Sequence, residues 1–251
     1  MVYALNEDSS VLEIRERLNR IYDANFPGDG KLIISRVLHP QPADTKGLGY
    51  MFTQEQDRPL LVTTRGIVGA RRYCQEREMN GREKHALPRG AHLRNHRHLL
   101  AVSELDCKKL SDRMGVEITP ELLGANLVLS REDGEPFELT ALLYGTDLQI
   151  YPQRVSQLPK NDEGMSRPPQ NNEGLEALLR VQAEQMGCKM TGNSIAMHYN
   201  DKSLVSKFIE NSKENRGLIL SLEHPVEADS RKAEFRPGQV VYVRYPTGKT
   251  L

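Results

Sequence analysis

The sequence predicts a mixed, mainly β fold, with short strands closing toward a barrel and helices at its periphery. Two patterns lead there. Short β-rich apolar runs recur along the chain between Gly- and Pro-bearing turns. Only a few stretches carry an apolar helical period, and those have recognisable caps and stops. The length of 251 residues allows one large domain or two small ones, burying roughly 70–75% of the unfolded surface. No repeat of 20–50 residues is present.

Taken in order, Ser10 and Glu13 fit a capping box, and Ile14, Leu18 and Ile21 share a helical face. Pro27, Gly28 and Gly30 end that segment, so residues 1–30 read as an N-terminal helical extension. Residues 31–38 (KLIISRVL) and 60–64 read as strands, with a loop over 39–49 between them. The polar, basic stretch 74–97, broken by Gly81, Pro88 and Gly90, reads as a long loop. Residues 98–102 form a short strand feeding a helix. Ser103 is its N-cap, Asp106 lies three residues on, Cys107, Leu110 and Met114 share a face, and Gly115 is the stop. Strands follow at 127–129, 140–144 and 148–150. Residues 152–174, rich in Pro, Gln, Asn and Gly, read as a flexible surface insertion. Leu175, Leu178, Leu179 and Met186 mark a helix ended by Gly187. Another starts at Asp201 as N-cap and runs through Leu204, Val205, Phe208 and Ile209. Residues 217–222 and 239–244 are the closing strands.

Charge and cysteine usage narrow the function. The 34 basic residues balance the 34 acidic ones, which argues against a globally basic nucleic-acid binder and against an acidic tail protein. With 38% hydrophobic and 27% charged residues the chain is not disordered. It has no run of about 18 apolar residues, and its start, MVYALNEDSS, lacks a secretory pattern. Three widely spaced cysteines, Cys74, Cys107 and Cys188, fit a reducing compartment better than a disulfide framework. The expectation is a cytoplasmic protein that does not engage a membrane.

Chemistry concentrates in two places. Residues 71–98 hold Arg71, Arg72, Arg77, Arg82, Lys84, Arg89, Arg94 and Arg97 against Glu76, Glu78 and Glu83, with His85, His92, His96 and His98. Guanidinium groups bind phosphate bidentately, so the run suits a polyanion; a solvated basic face is the alternative, and both stay open. His92, His96 and His98 have an H-x3-H-x-H spacing that three-imidazole zinc sites can use, but the sequence forces no such geometry, and no metal site is assigned. Cys107, on an apolar helix face, reads as a buried small hydrophobe. Cys74 lies among arginines that could lower its pKa, or it is an idle loop thiol. Cys188, outside any apolar period, could be a nucleophile or a sulfur carrier. A helix ending before it would oppose thiolate formation unless Lys189 or an arginine offsets that. Asn126 follows Gly124-Ala125 and is either a turn residue or a polar contact in a cleft. The Gly-x-Ser-x-Gly, P-loop and G-x-G-x-x-G patterns are absent.

Several segments in order resemble the MOSC domain family, named for the C-terminal domain of molybdenum cofactor sulfurase, in its small stand-alone bacterial form. Gly66-Ile67-Val68-Gly69-Ala70-Arg71-Arg72 resembles the family's G-[IL]-x-G-D-x-H stretch, and Arg97 to Glu104 resembles the strand leading into its central helix. Met114-Gly115-Val116 through Pro120-Glu121-Leu122-Leu123-Gly124-Ala125-Asn126-Leu127 is similar to G-V-x(n)-P-x-x-L-G-x-N-[LV]. Leu142 to Ile150 is similar to L-x-x-G-x-x-L-x-I. Arg216-Gly217-Leu218 and Pro237 to Val243 look like the closing strands, and Cys188 falls near the family cysteine. Four positions depart from the pattern. Ala70 replaces Asp, Arg72 replaces His, Gly187 replaces the Pro before the cysteine, and Gln239 replaces Asp.

The resemblance implies a MOSC-type barrel of the pyruvate kinase β-barrel-like kind over residues 31–245. It implies a cysteine that receives sulfane sulfur from a cysteine desulfurase and passes it to a metal cofactor or a small anionic acceptor. That role falls to Cys188, with His96 or His98 as acid/base. Arg71, Arg72, Arg89, Arg94 and Arg97 would fix the anion, and Asn126 would add a polar contact. Related members bind a molybdenum–pterin cofactor and reduce N-hydroxylated compounds, which is the alternative activity. A third reading is a non-catalytic module binding anions or nucleic acid through residues 71–98.

Overall fold

The computed structural model describes residues 31–42, 45–70, 76–78, 92–94, 98–139, 146–154, 175–184, 189–212, 217–223 and 232–244. The extension 1–30, the strand expected at 140–144 and most of the insertion 152–174 lie outside them.

The strands β1 (Lys31–Pro40), β7 (Leu99–Val102), β8 (Leu127–Arg131), β9 (Asp147–Arg154), β10 (Ala177–Glu184), β11 (Leu218–Glu223) and β13 (Gln239–Arg244) form the wall. They pair in the order β13-β9-β10-β11-β7-β8-β1, and β1 pairs back onto β13, so seven strands close into a barrel. All wall pairings are antiparallel except β7 with β8. A parallel pair needs a crossover. Here it carries two helices, α1 (Glu104–Met114) and α2 (Pro120–Leu123). A short strand, β2 (Thr53–Glu55), extends the wall beside the end of β1.

Alternation decides which side chains fill the barrel. Leu99 and Ala101, Leu127 and Leu129, Leu148 and Ile150, Ala177, Leu179 and Val181, and Leu218, Leu220 and Leu222 meet in one buried cluster. Each such Leu or Val contributes roughly 1.5–3 kcal/mol by leaving water. In β1 the inward set is Leu32, Ile34 and Val37, because a bulge between Ile34 and Arg36 shifts the phase by one residue. A small sheet of β3 (Leu60–Thr63), β4 (Gly66–Ile67) and β12 (Ala233–Phe235) adds Leu60, Val62, Ile67, Ala233 and Phe235 to the same core.

The outward residues Leu38, Leu100, Val102 and Val128 pack against Cys107, Leu110 and Met114 of α1. They share that second cluster with Ile195 and Ala196 of α3 (Lys189–His198), and Leu204 and Phe208 of α4 (Leu204–Asn211). A 3-10 helix (Gly47–Met51) lies beside α3. Among the described residues no helix is long and apolar enough to cross a membrane.

The α1 cap follows the sequence reading and goes further. Ser103 Oγ accepts from Asp106 N at 3.1 Å and donates to Asp106 Oδ2 at 2.8 Å. The same Oδ2 accepts from Leu139 N at 3.0 Å, tying the helix start to a distant segment.

Three expectations are corrected. Residues 175–186 do not form a helix: 177–184 are strand β10. The run ALLRVQAE fits either period, and pairing with β9 and β11 on both sides decides for the strand. Residues 74–97 are not loop throughout, since β5 (Glu76–Glu78) pairs with β6 (His92–Arg94) as an antiparallel ribbon. Finally, α4 begins only at Leu204, after Ser203, which makes no side-chain cap bond. The Asp201 carboxylate instead accepts from Ser203 N at 2.9 Å and Oγ at 2.7 Å.

His39 of β1 is buried, with Nε2 3.0 Å from Arg58 O. Burial, with the Arg58 charge adding to it, holds its pKa below the ordinary histidine range despite that hydrogen bond. Between the unfolded value of about 6.5 and the lower folded value, the unfolded chain binds a proton that the folded chain does not. Stability contributed here is therefore lost as pH falls below about 6.5. His39→Gln keeps a donor near Arg58 O and should give a shallower fall in Tm between pH 7 and pH 5, read by thermal melts.

Candidate functional site

The family-like residues with placed side chains are tied into the barrel. His98 is 5% exposed. Its N–H donates to Leu220 O at 3.0 Å, and its Nδ1 accepts from Leu222 N at 2.8 Å. The β7–β11 ladder stops at this point, and the imidazole takes the N–H that another strand residue would otherwise bond. Accepting at Nδ1 puts the proton of the neutral ring on Nε2.

Asn126 is also buried. Its backbone N–H donates to Leu100 O at 2.7 Å and its carbonyl accepts from Leu38 N at 2.8 Å. Its Oδ1 accepts from Leu100 N at 3.1 Å and its Nδ2 donates to Leu38 O at 3.4 Å. One residue thus splices β1 to β7 where the parallel pair begins, which makes it structural and draws its amide away from a cleft contact. Cys107 is 3% exposed, and burial, reinforced by the charges of Glu104, Asp106 and Glu121, pushes its thiol far above the reactive range.

Arg71, Arg72, Arg89, Arg97, His96, Cys74 and Cys188 lie outside the described residues. Arg94 is in β6, at a register position opposite Glu76, and His92 stands opposite Glu78. The third register pair is Arg77 with Leu93. It joins the chain at the start of β7, whereas Cys188 follows the end of β10. Both β7 and β10 run antiparallel to β11, hence in the same direction, and Glu184 and Ala101 meet Leu218 from its two sides. The two attachments are separated along β7 by the span from His98 to Ala101, roughly 10 Å.

The elements flanking Cys188 in the chain differ from the sequence expectation. The element before it is a strand, not a helix, and α3 begins at Lys189. The expected opposition from a helix C-terminus is therefore withdrawn. The neighbouring helix end is the one that favours a thiolate. In α3, Gly192 lies against α4, where a Cβ would come within 3.3 Å of Val205 O.

Sequence reasoning missed two groups. Gln182 Nε2 donates to Ser221 Oγ at 2.6 Å across β10 and β11; only a polar pair in two apolar strands hints at it. Arg36 pairs with Glu121, with Glu55 at 3.3 Å and with Glu104 at 3.7 Å. Burial pushes Glu121 upward, but its own backbone N–H, the Thr119 hydroxyl and Arg36 outweigh that and hold the carboxyl below its ordinary range. The acidic first turns of α1 and α2 were the available signal.

Among the described residues no three His, Cys, Asp or Glu side chains group as a metal site. Asn126 and Nδ1 of His98 are committed to backbone groups.

A family model, the MOSC domain, matches residues 88–242. The YuaD protein from Bacillus subtilis has a similar crystal structure, with a TM-score of 0.60 and 23% identity over 86% of this chain and 97% of that one. YiiM from Geobacillus stearothermophilus is also similar, at a TM-score of 0.46 and 11% identity over 88% of this chain and 78% of that one. No curated protein matches significantly. The YuaD likeness is one of fold, and it agrees with the closed barrel. The matched span covers more than half of the sequence, runs from before β7 into β13 and brackets Cys188, so the chain belongs to the MOSC domain family.

Proposed function

We propose that this protein is a sulfur carrier of the MOSC type that holds sulfane sulfur on Cys188. The observation that carries the reading is the start of α3 at Lys189, directly after the cysteine, in a chain of this family. A helix start and an adjacent ammonium both favour the thiolate, the form that attacks sulfur.

The step is a thiol exchange and needs no external oxidant or reductant. The Cys188 thiolate attacks the terminal sulfur of a persulfide on the donor, a cysteine desulfurase. A new S–S bond forms at Cys188, the donor S–S bond breaks, and the donor cysteine leaves as a thiolate. In the second half an acceptor nucleophile attacks the terminal sulfur and Cys188 leaves as a thiolate. A stabilised leaving thiolate speeds that half. Arg71, Arg72, Arg89, Arg94 and Arg97 supply cations for a metal-cofactor or small anionic acceptor, and His96, or His98 through Nε2, exchanges the proton. The protein works in the cytoplasm, where a free thiol persists.

Cyanide tests the reading, because it takes a sulfane sulfur as thiocyanate and returns the thiolate. After incubation with a cysteine desulfurase and cysteine, wild type should release about one equivalent of thiocyanate and Cys188→Ser none. Equal release from both proteins would remove Cys188 from the reaction. Molybdenum in the purified protein would favour the reductase reading instead. Binding of nucleic acid that weakens steeply with salt and ignores Cys188→Ser would favour the anion-binding module.

A further inference from the structure

We propose that the outward side of α3 is a self-association surface, on which α3 of a second copy of this chain packs antiparallel across a two-fold axis. The proposal does not rest on the sulfur-carrier reading. The large hydrophobic side chains exposed among the described residues, Met190, Met197 and Ile209, all lie on α3 and α4. Met190 and Met197 are seven residues apart, so they project from one side of α3, roughly 10 Å apart along its axis. Asn193, half-buried, stands three residues after the first and four before the second. The opposite side is already used. Thr191, Gly192, Ser194, Ile195 and Ala196 are buried, with Gly192 against α4 and Ile195 and Ala196 in the outer core. The stripe Met190, Asn193, Met197 thus has the 3-4 spacing of a helix–helix seam and faces outward.

The stripe is self-complementary. In an antiparallel pair, Met190 faces the partner's Met197 and Met197 faces the partner's Met190, while the two Asn193 side chains meet beside the axis. An amide both donates and accepts, so it pairs with its own copy. Within the described residues the Asn193 amide makes no hydrogen bond. Charge sets the direction. Lys189 opens α3 with no acidic residue in its first turn, where the helix's own dipole disfavours a cation. The antiparallel partner brings the negative end of its α3, with the partner's Asp201 beyond it, to that position; a parallel partner would bring a second Lys189. The Asp201 carboxyl is held below its ordinary range by the hydrogen bonds from Ser203, so it is charged at neutral pH. Two helices of 10 residues cover a small area, so the dimer is weak, with a Kd on the order of 10 μM.

Sedimentation equilibrium of the full chain, from about 1 to 200 μM, tests this on wild type, Met197→Glu and Asn193→Asp. Wild type should pass from the mass of one chain to that of two as its concentration rises. Met197→Glu sets carboxylates against apolar side chains, and Asn193→Asp sets two carboxylates together at the axis. Each should weaken the dimer at least about tenfold. Met197 is 52% exposed, so Met197→Glu should leave the Tm of the monomer within about 2 °C of wild type. If Asn193→Asp fails to fold, Met197→Glu decides. An equal mixture of Met190→Cys and Met197→Cys chains, mildly oxidised and peptide-mapped, should link position 190 to position 197. Links joining position 190 to position 190 would contradict the antiparallel arrangement. Wild type that stays monomeric throughout would give the stripe to a partner of another kind and overturn the proposal. So would a dimer whose constant neither variant changes, because its interface would lie elsewhere.

Discussion

Gly217→Ala should destabilise the protein by about 3–5 kcal/mol, enough to consume much of the stability of an ordinary domain. Two independent terms add. Gly217 has φ +95, where an L side chain is strained. A Cβ there would also lie 2.3 Å from Ala101 O and 2.7 Å from Val102 Cγ1. Both atoms belong to β7, one of the two strands of the parallel pair, so neither can step aside without opening the wall. Chemical denaturation should show a lower midpoint with an unchanged slope. A loss below about 1 kcal/mol would mean that β11 enters the barrel differently from the structure described. The Arg216-Gly217-Leu218 segment, one of those resembling the family, thus has a steric reason for its glycine.

Asp106→Ala should cost about 2–5 kcal/mol, the sum of leaving buried partners unsatisfied. The carboxylate is fully buried and accepts from the Ser103 hydroxyl and from Leu139 N. Removing it takes the acceptor from the Ser103 hydroxyl and cuts the tie to residue 139, while the cap bond from the backbone N–H of residue 106 to Ser103 Oγ remains. Asp106→Asn keeps an acceptor of the same shape and should lose less than Asp106→Ala. Paired denaturation curves for the two variants separate the bonds from the charge. Equal losses would mean that ionisation, not the two hydrogen bonds, holds this site.

Much of the wall was legible because closed sheets write themselves as alternation. β1, β3, β7, β8, β11 and β13 begin and end close to where the apolar runs do. The helix from Glu104 was legible from Ser103, Asp106 and Gly115 together, since caps are local chemistry. Other elements were not. β2, β4 and β12 have two or three residues, too few for any period. The β10 run satisfies both a strand and a helix pattern, and only its neighbours in the barrel settle it. In β1, the bulge turns a period of two into the spacing Ile34 to Val37, which a linear reading cannot foresee.

The site was legible to a different degree. Residue type and spacing brought out Cys188, His98 and Asn126, but not the bonds that hold His98 and Asn126. Only the paired strands show that the His98 imidazole closes the end of a ladder and that Asn126 splices β1 to β7. Misreading β10 as a helix also inverted the electrostatics assigned to Cys188. With α3 starting at Lys189, the thiol stands before a helix instead of after one. A helix start favours a thiolate where a helix end opposes one, so the objection raised from the sequence falls away.

The most direct test of that account is intact-protein mass spectrometry without reductant, after incubation with a cysteine desulfurase and cysteine. Wild type should gain about one sulfur atom, roughly 32 Da, and Cys188→Ser should gain nothing. Wild type left at its starting mass, or a variant that gains the same sulfur, would contradict the claim that Cys188 carries it.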